Sequence, residues 1–596
     1  MENLSSFFIS APLSTLLTIL SAFSLAIVFD FYGRKVFRRD EISIRALYFF
    51  SGLLFLGWFI WIVCLLELGS VIFFKILFWA FIVHAGLICF GKSPNSLAKT
   101  VYKKISFVPL NKPDQYFSWL LYGVLILYAI LCLTVPTDAD SLNYHLALPV
   151  DILNTGSLWF NKDYLCFRMA GFGEMINILG VANGCPQLGA FLQILALILV
   201  IAAFLDFVPN ENKLLLLTAI LAIPVLLFLL PNQKHQFTGI LATSLSFFIV
   251  SRQQHLLTKQ TIFLLVLALL LAAGIKYSFF ISAALIFLLQ ALKWRSKSQL
   301  AGLFWKTIVL AAIVLGPALA FRWIHFDDPL SPFFEHFKKN PDPIVLKPYQ
   351  ILSASGSFIP FPINLILPAS PGAVSTVIGI SCLLFFLVFT RFKAYFTEIL
   401  TIAVLVAAVL FTGQSAPRFF LEPVLWSLPL ALGGTHSVPG FKYFNIALKL
   451  QLLILIPFIG FGIYSLGPSL LSNEWRETIL TRSSDGYSES IWINKVVPPE
   501  ATICVGSRSR AFLSRKYFPW EYLFFSSLKN QKEAALLDFK LRKQYKVDYL
   551  VLPVSDFQEL KKRYAGTIVA GPKKFRAAVR NPLNSTEYEM IIYKLK

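Results

Sequence analysis

The sequence predicts an α-helical multi-pass membrane protein of about 14 transmembrane helices with a small C-terminal α/β domain. Three observations predict it. The 596 residues are 57% hydrophobic and only 14% charged, against about 25% charged in soluble domains. Apolar runs such as "LSTLLTILSAFSLAIVFDFYG" from Leu13 and "LGAFLQILALILVIAAFLDFV" from Leu188 recur along the chain. Each reaches the ~20 residues a helix needs to cross ~30 Å of hydrocarbon. Beyond residue 471 no such run occurs, and 22 Lys and Arg stand against 13 Asp and Glu.

The runs place spans at about 13–32, 46–67, 70–91, 116–136, 188–208, 214–231, 236–251, 261–276, 277–293, 303–324, 372–391, 398–413, 418–434 and 446–470. No basic stretch precedes the first run and it has no convincing cleavage site, so it reads as a retained helix. The net charge of +21 would suit a polyanion partner, but its Lys and Arg gather in the short loops 33–45, 92–104 and 293–299 and in the tail. That is a topology signal that marks cytoplasmic loops, and no nucleic-acid motif accompanies it. With 33–45 inside, the long loops 137–187 and 325–371 fall outside together with the tail. Three regions follow: 1–115, 116–471 and 472–596. In the last, "ATICVGS" (501–507) and "VDYLVLP" (547–553) read as buried strands and "NQKEAALLDFKLRKQY" (530–545) as a helix between them. Seven cysteines are too few for a disulfide framework, although Cys166 and Cys185 share one outer loop.

Candidate chemistry gathers at the outer ends of the spans. "TDADSLNYHLALP" (137–149) places Asp138, Asp140 and His145 where the fourth span ends. A helix N-cap, which Asp140 or Ser141 would suit, accounts for one aspartate but not both. An aspartate there suits a general base, and the pair would also suit a divalent cation (Mg or Mn). Lys276 lies between two apolar runs, where a lysine is costly unless it functions, snorkels or sits in a turn. Arg418 precedes Glu422 by one turn, so it either forms an i,i+4 ion pair or grips a phosphate by two hydrogen bonds. "RWIHFDDPLSPFFEHF" (322–337) adds Arg322, His325, Asp327 and Asp328. Glu174 either lines the site or pairs with Arg168. All of these come from separate parts of the chain yet fall on one membrane face.

These residues resemble a known family. "PTDADSLNYHLALP", "AGFGEMINILG", "LAAGIKY", "DDPLSPFF" and "APRFFLEPVLWSLPLAL", in that order, are similar to motifs of the GT-C superfamily of integral membrane glycosyltransferases. The branch is the bacterial one related to protein mannosyltransferases and lipid A aminoarabinose transferases. The similarity spans residues ~116–596, with the first three helices as an addition. It implies transfer of a sugar from a polyprenyl-phosphate carrier to a lipid, glycan or protein acceptor. The reaction would occur at the extracytoplasmic face of the bacterial inner membrane, with inversion. By the resemblance Asp140 matches the catalytic base, assisted by Asp138, while Lys276 and Arg418 match carrier-phosphate positions. His145, Glu174 and Arg322 complete the substrate-binding set. Ser141 departs from the family's paired acid, which leaves metal dependence open.

Two other classes compete. A transporter or flippase of a lipid-linked or anionic substrate would place its charges near the midplane, within inverted repeats, and no repeat is visible. A non-catalytic membrane scaffold would keep the helices without needing the acidic turn.

Overall fold

Sustained apolar runs form the long helices, which tolerate internal glycines and, at Pro457, a proline. The computed structural model describes residues 7–91, 97–105, 112–159, 165–252, 258–293, 297–333, 335–338, 359–433, 441–519, 531–577 and 586–596. Among these, six helices are long and apolar enough to cross a membrane: Ala11–Phe37, Ile42–Leu65, Val71–Gly91, Asp114–Leu133, Leu188–Phe207 and Lys442–Leu470. A seventh span would join Ala301–Val314 to Gly316–Phe326 across a 46° bend, where Pro317 follows the break. The count of about 14 is therefore not met by full-length spans. Hydropathy windows register apolar runs whatever their helical length. Gln236–Ser251, Lys259–Ile275, Ser278–Lys293, Phe396–Phe411 and Leu421–Leu432 are apolar helices of at most 17 residues. The run 214–231 breaks after Leu221, and 372–391 folds largely as short 3-10 turns.

The bundle is layered around Leu188–Phe207, which is almost wholly buried, while Val71–Gly91 and Lys442–Leu470 lie at the periphery with most of their surface outward. The stretch 137–187 is not a simple loop. It holds a π-helical turn (Ser141–His145), a helix (Ala147–Thr155) and a second helix (Phe172–Ala182) whose 11 residues are all buried. Of the other long loop, 325–371, residues 334 and 339–358 lie outside the described residues.

The tail builds a five-stranded mixed sheet from β1 (Thr502–Val505), β2 (Lys516–Pro519), β3 (Tyr549–Pro553), β4 (Gly566–Ala577) and β5 (Thr586–Leu595). Its order is β2-β1-β3-β5-β4. β1 runs parallel to β2 and β3, and β5 runs antiparallel to β3 and β4. Each face carries its own apolar cluster, one around Leu550 and Tyr593 and the other around Val551 and Ile592. The sheet is fastened to the acidic turn. Ala511 and Phe512, just after β1, bury against Leu142, Leu146 and Ala147, and the Tyr517 hydroxyl donates to Asp151 Oδ2 at 2.9 Å.

Candidate functional site

The π-helical turn decides which aspartate is available. Asp138 is buried, and its Oδ1 accepts from the Ser141 N–H at 2.9 Å, capping the turn. Asp140 stands at the start of the turn with its side chain 43% exposed. The cap is thus Asp138 and not Asp140 or Ser141, because Asp138 precedes the turn and its carboxylate reaches the Ser141 N–H, which leaves the Asp140 side chain partly exposed. Across from it is Lys234, whose Nζ reaches Asp140 Oδ2 at 3.3 Å and whose own side chain is only 5% exposed. Burial pushes the Lys234 ammonium below its ordinary pKa and Arg418 adds to this, whereas Asp140 opposes it.

Lys234 is the residue sequence reasoning missed. It sits in "PNQKHQF", a short polar break between two apolar runs, the same situation that singled out Lys276. Lys276 occupies the extended break between Lys259–Ile275 and Ser278–Lys293 and donates to Gln236 Oε1 at 3.2 Å. Lys234, Arg418, Glu174 and Asp140 all act electrostatically on its ammonium. Gly171 permits this packing, because a Cβ there would lie 2.3 Å from the Ile275 carbonyl oxygen. Arg418 rests against Phe419 and Phe228, its centre 5.1 and 5.9 Å from their rings. The i,i+4 pair with Glu422 is not formed: Glu422 accepts instead from the Thr243 hydroxyl at 2.5 Å.

Glu174 belongs to a buried pair beneath the turn. It does not meet Arg168, which pairs with Glu335 at 2.8 Å and reaches Ser331. Glu174 Oε1 meets His145 Nδ1 at 2.6 Å, and Oε2 accepts from the Gly171 N–H at 2.8 Å. Burial alone would raise the Glu174 carboxyl. The hydrogen bonds from His145 and Gly171 outweigh it and hold the group below its ordinary value. Burial lowers His145, so a neutral imidazole donates to an ionised carboxylate. The pair anchors the acidic turn to the Phe172–Ala182 helix.

The structure therefore gathers Asp140, Lys234, Lys276 and Arg418, with Asp138, His145 and Glu174 supporting the turn from below. Arg322 stands aside. Its guanidinium lies 4.4 Å from the Tyr277 ring centre and donates to the Ala170 carbonyl at 2.5 Å, bracing that loop beside Lys276. His325 stacks on Phe321, and Asp328 accepts from the Leu330 N–H. Among the described residues no group of three His, Cys, Asp or Glu is placed to hold a metal ion. The Asp138–Asp140 pair does not fit a cation either, since one carboxylate caps a turn and the other already faces an ammonium. Cys166 and Cys185 are not bridged.

No curated protein matches the sequence. Among solved structures, the chain is similar to ArnT from Cupriavidus metallidurans in the apo state, at 12% identity and a TM-score of 0.48, covering 81% of this chain and 98% of that one. The same protein bound to undecaprenyl phosphate matches at 12% identity and a TM-score of 0.42, over 80% and 97%. Arabinofuranosyltransferase AftD from Mycobacteria matches at 14% identity and 0.40, over 81% of this chain and 40% of that one. A family model described as the DUF1420 N-terminal domain matches residues 72–480, well over half of the sequence and the whole of the cluster around Asp140. The chain belongs to the DUF1420 family.

Proposed function

We propose that the protein is a membrane glycosyltransferase that moves a sugar from a polyprenyl-phosphate carrier to an acceptor hydroxyl at the extracytoplasmic face. The observation that carries this reading is one outward-facing carboxylate, Asp140, standing among three cations, Lys234, Lys276 and Arg418. Such a set matches the two charge changes of the transfer. The acceptor oxygen attacks the anomeric carbon and passes its proton to Asp140. The bond from that carbon to the phosphate oxygen breaks, its electron pair leaves with the carrier phosphate, and the cations offset the charge that gathers there. A single displacement inverts the anomeric centre. Asp138 keeps the turn in shape. The motif resemblance to GT-C enzymes points the same way.

The test is glycan profiling of envelope lipids and proteins in a deletion strain complemented with wild type or Asp140→Asn. Wild type should restore a missing sugar. Asp140→Asn, shown to be expressed and folded, should transfer about 10²–10⁴-fold more slowly. Full restoration by Asp140→Asn removes Asp140 as base. A deletion that alters no glycan ends the transferase reading and favours a transporter or a scaffold.

A further inference from the structure

The proposed site depends on two segments that approach each other across 94 residues of sequence, the Asp140 turn and the Lys234 turn. The ion pair alone is a weak fastener, because one partner is 43% exposed and solvent screens exposed pairs. A buried amide does the fastening. Asn177 is 1% exposed and lies three residues after Glu174 on the Phe172–Ala182 helix, so the two side chains share a face. Its Nδ2 donates one hydrogen to the carbonyl of His145, the last residue of the Asp140 turn, at 3.1 Å. The other goes to the carbonyl of Gln233, the neighbour of Lys234, at 2.9 Å.

Two carbonyls facing one end of the amide fix its orientation, since an oxygen there would meet only acceptors. The amide oxygen then takes the N–H of His235 Nε2 at 3.0 Å, and every polar atom of Asn177 is engaged. A second link runs directly between the turns, from the Gln233 N–H to the Ser141 hydroxyl oxygen at 2.8 Å. The arrangement needs Gly189 behind it, where a Cβ would come within 2.2 Å of Asn177 Oδ1 and 2.7 Å of Gln233 Oε1.

We propose that Asn177 is a positioning residue that holds the Asp140 and Lys234 turns in register, so that the carrier phosphate meets a preorganised ammonium. It touches neither substrate and acts through Lys234. This rests on the transferase reading, because it gives the ammonium a phosphate to bind. Preorganised groups need their supporting shell held within about 0.5 Å, and one amide bonded to both segments provides such support.

The experiment is a double-mutant cycle on the full-length protein in detergent, titrated with undecaprenyl phosphate. Lys234→Gln should weaken binding about tenfold, and Asn177→Ala should weaken it by a similar factor. In the double variant the loss should equal that of Lys234→Gln alone, because an anchor has nothing to position once the ammonium is gone. Gly189→Ala deletes no hydrogen-bonding group and crowds the Asn177 amide. It repeats the cycle should Asn177→Ala not fold. A purely structural asparagine would lower the melting temperature and leave the affinity untouched, which overturns the proposal, as do losses that simply add. If Lys234→Gln itself binds like wild type, the carrier-phosphate reading fails first and takes this inference with it.

Discussion

Two buried glutamates in different regions show how partners, rather than depth, set the state of an acid. Glu174, under the acidic turn, is 4% exposed, and Glu489, in the tail domain, is 3% exposed. Glu174 receives an imidazole N–H and a backbone N–H and is held low. Glu489 receives only the Tyr588 hydroxyl, at 2.9 Å on Oε2, while its Oε1 finds no partner among the described residues. Burial therefore pushes Glu489 up to about 7, with Asp485 adding to the rise and Tyr588 and Arg510 opposing it. The region beneath the candidate site keeps a fixed charge, and the tail keeps an acid poised near neutrality.

Breaking the Glu174 pair should have the largest effect. In Glu174→Gln the His145 ring loses a charged acceptor, and the Gly171 N–H no longer faces a carboxylate. Both hydrogen bonds to the charged carboxylate are weakened, and each such bond contributes about 1.5–3 kcal/mol. Thermal denaturation of the purified protein should show it as a clear drop in midpoint. Glu489→Gln at pH 8 should show no drop, since the ionised state it removes is the unfavourable one.

The pH dependence of the tail sharpens the contrast. A carboxyl raised from 4.5 to about 7 on folding favours the folded state most below pH 4.5, and that advantage is lost as pH rises to about 7. The change is about 3 kcal/mol at most. Amide exchange in β5 should therefore be slower at pH 5 than at pH 8, after correction for intrinsic rates. Glu489→Gln should flatten this difference. An unchanged pH response in that variant would assign the effect to another group.

The smallest effect concerns the tie between the two regions. Tyr517→Phe deletes the bond to Asp151 at a cost of about 1 kcal/mol. Exchange should quicken in 147–155 and leave β3 unaffected. Equal quickening in both would mean that the bond stabilises the tail itself.

Much of this molecule was legible from local pattern. The long helices follow from apolar runs, and β1 and β3 lie inside the short apolar stretches 501–507 and 547–553. β4 was not legible, because Ile568 and Val569 are half exposed at a sheet edge and their surroundings follow no single burial period. Asp138 and Asp140 could be picked out as a pair, but only the geometry of the turn divides their roles.

Local sequence pattern pointed to a multi-pass membrane protein and singled out Asp138, Asp140, Lys276 and Arg418 as candidates. Hydropathy and charge spacing are properties of neighbours in the chain, so they survive without a fold. Tertiary structure alone decided the partners: Asp140 with Lys234, Glu174 with His145, Arg168 with Glu335 and Glu422 with Thr243. Those partners stand 94, 29, 167 and 179 residues apart. Coulomb and hydrogen-bond energies depend on distance in space, and helix packing, not sequence separation, sets that distance.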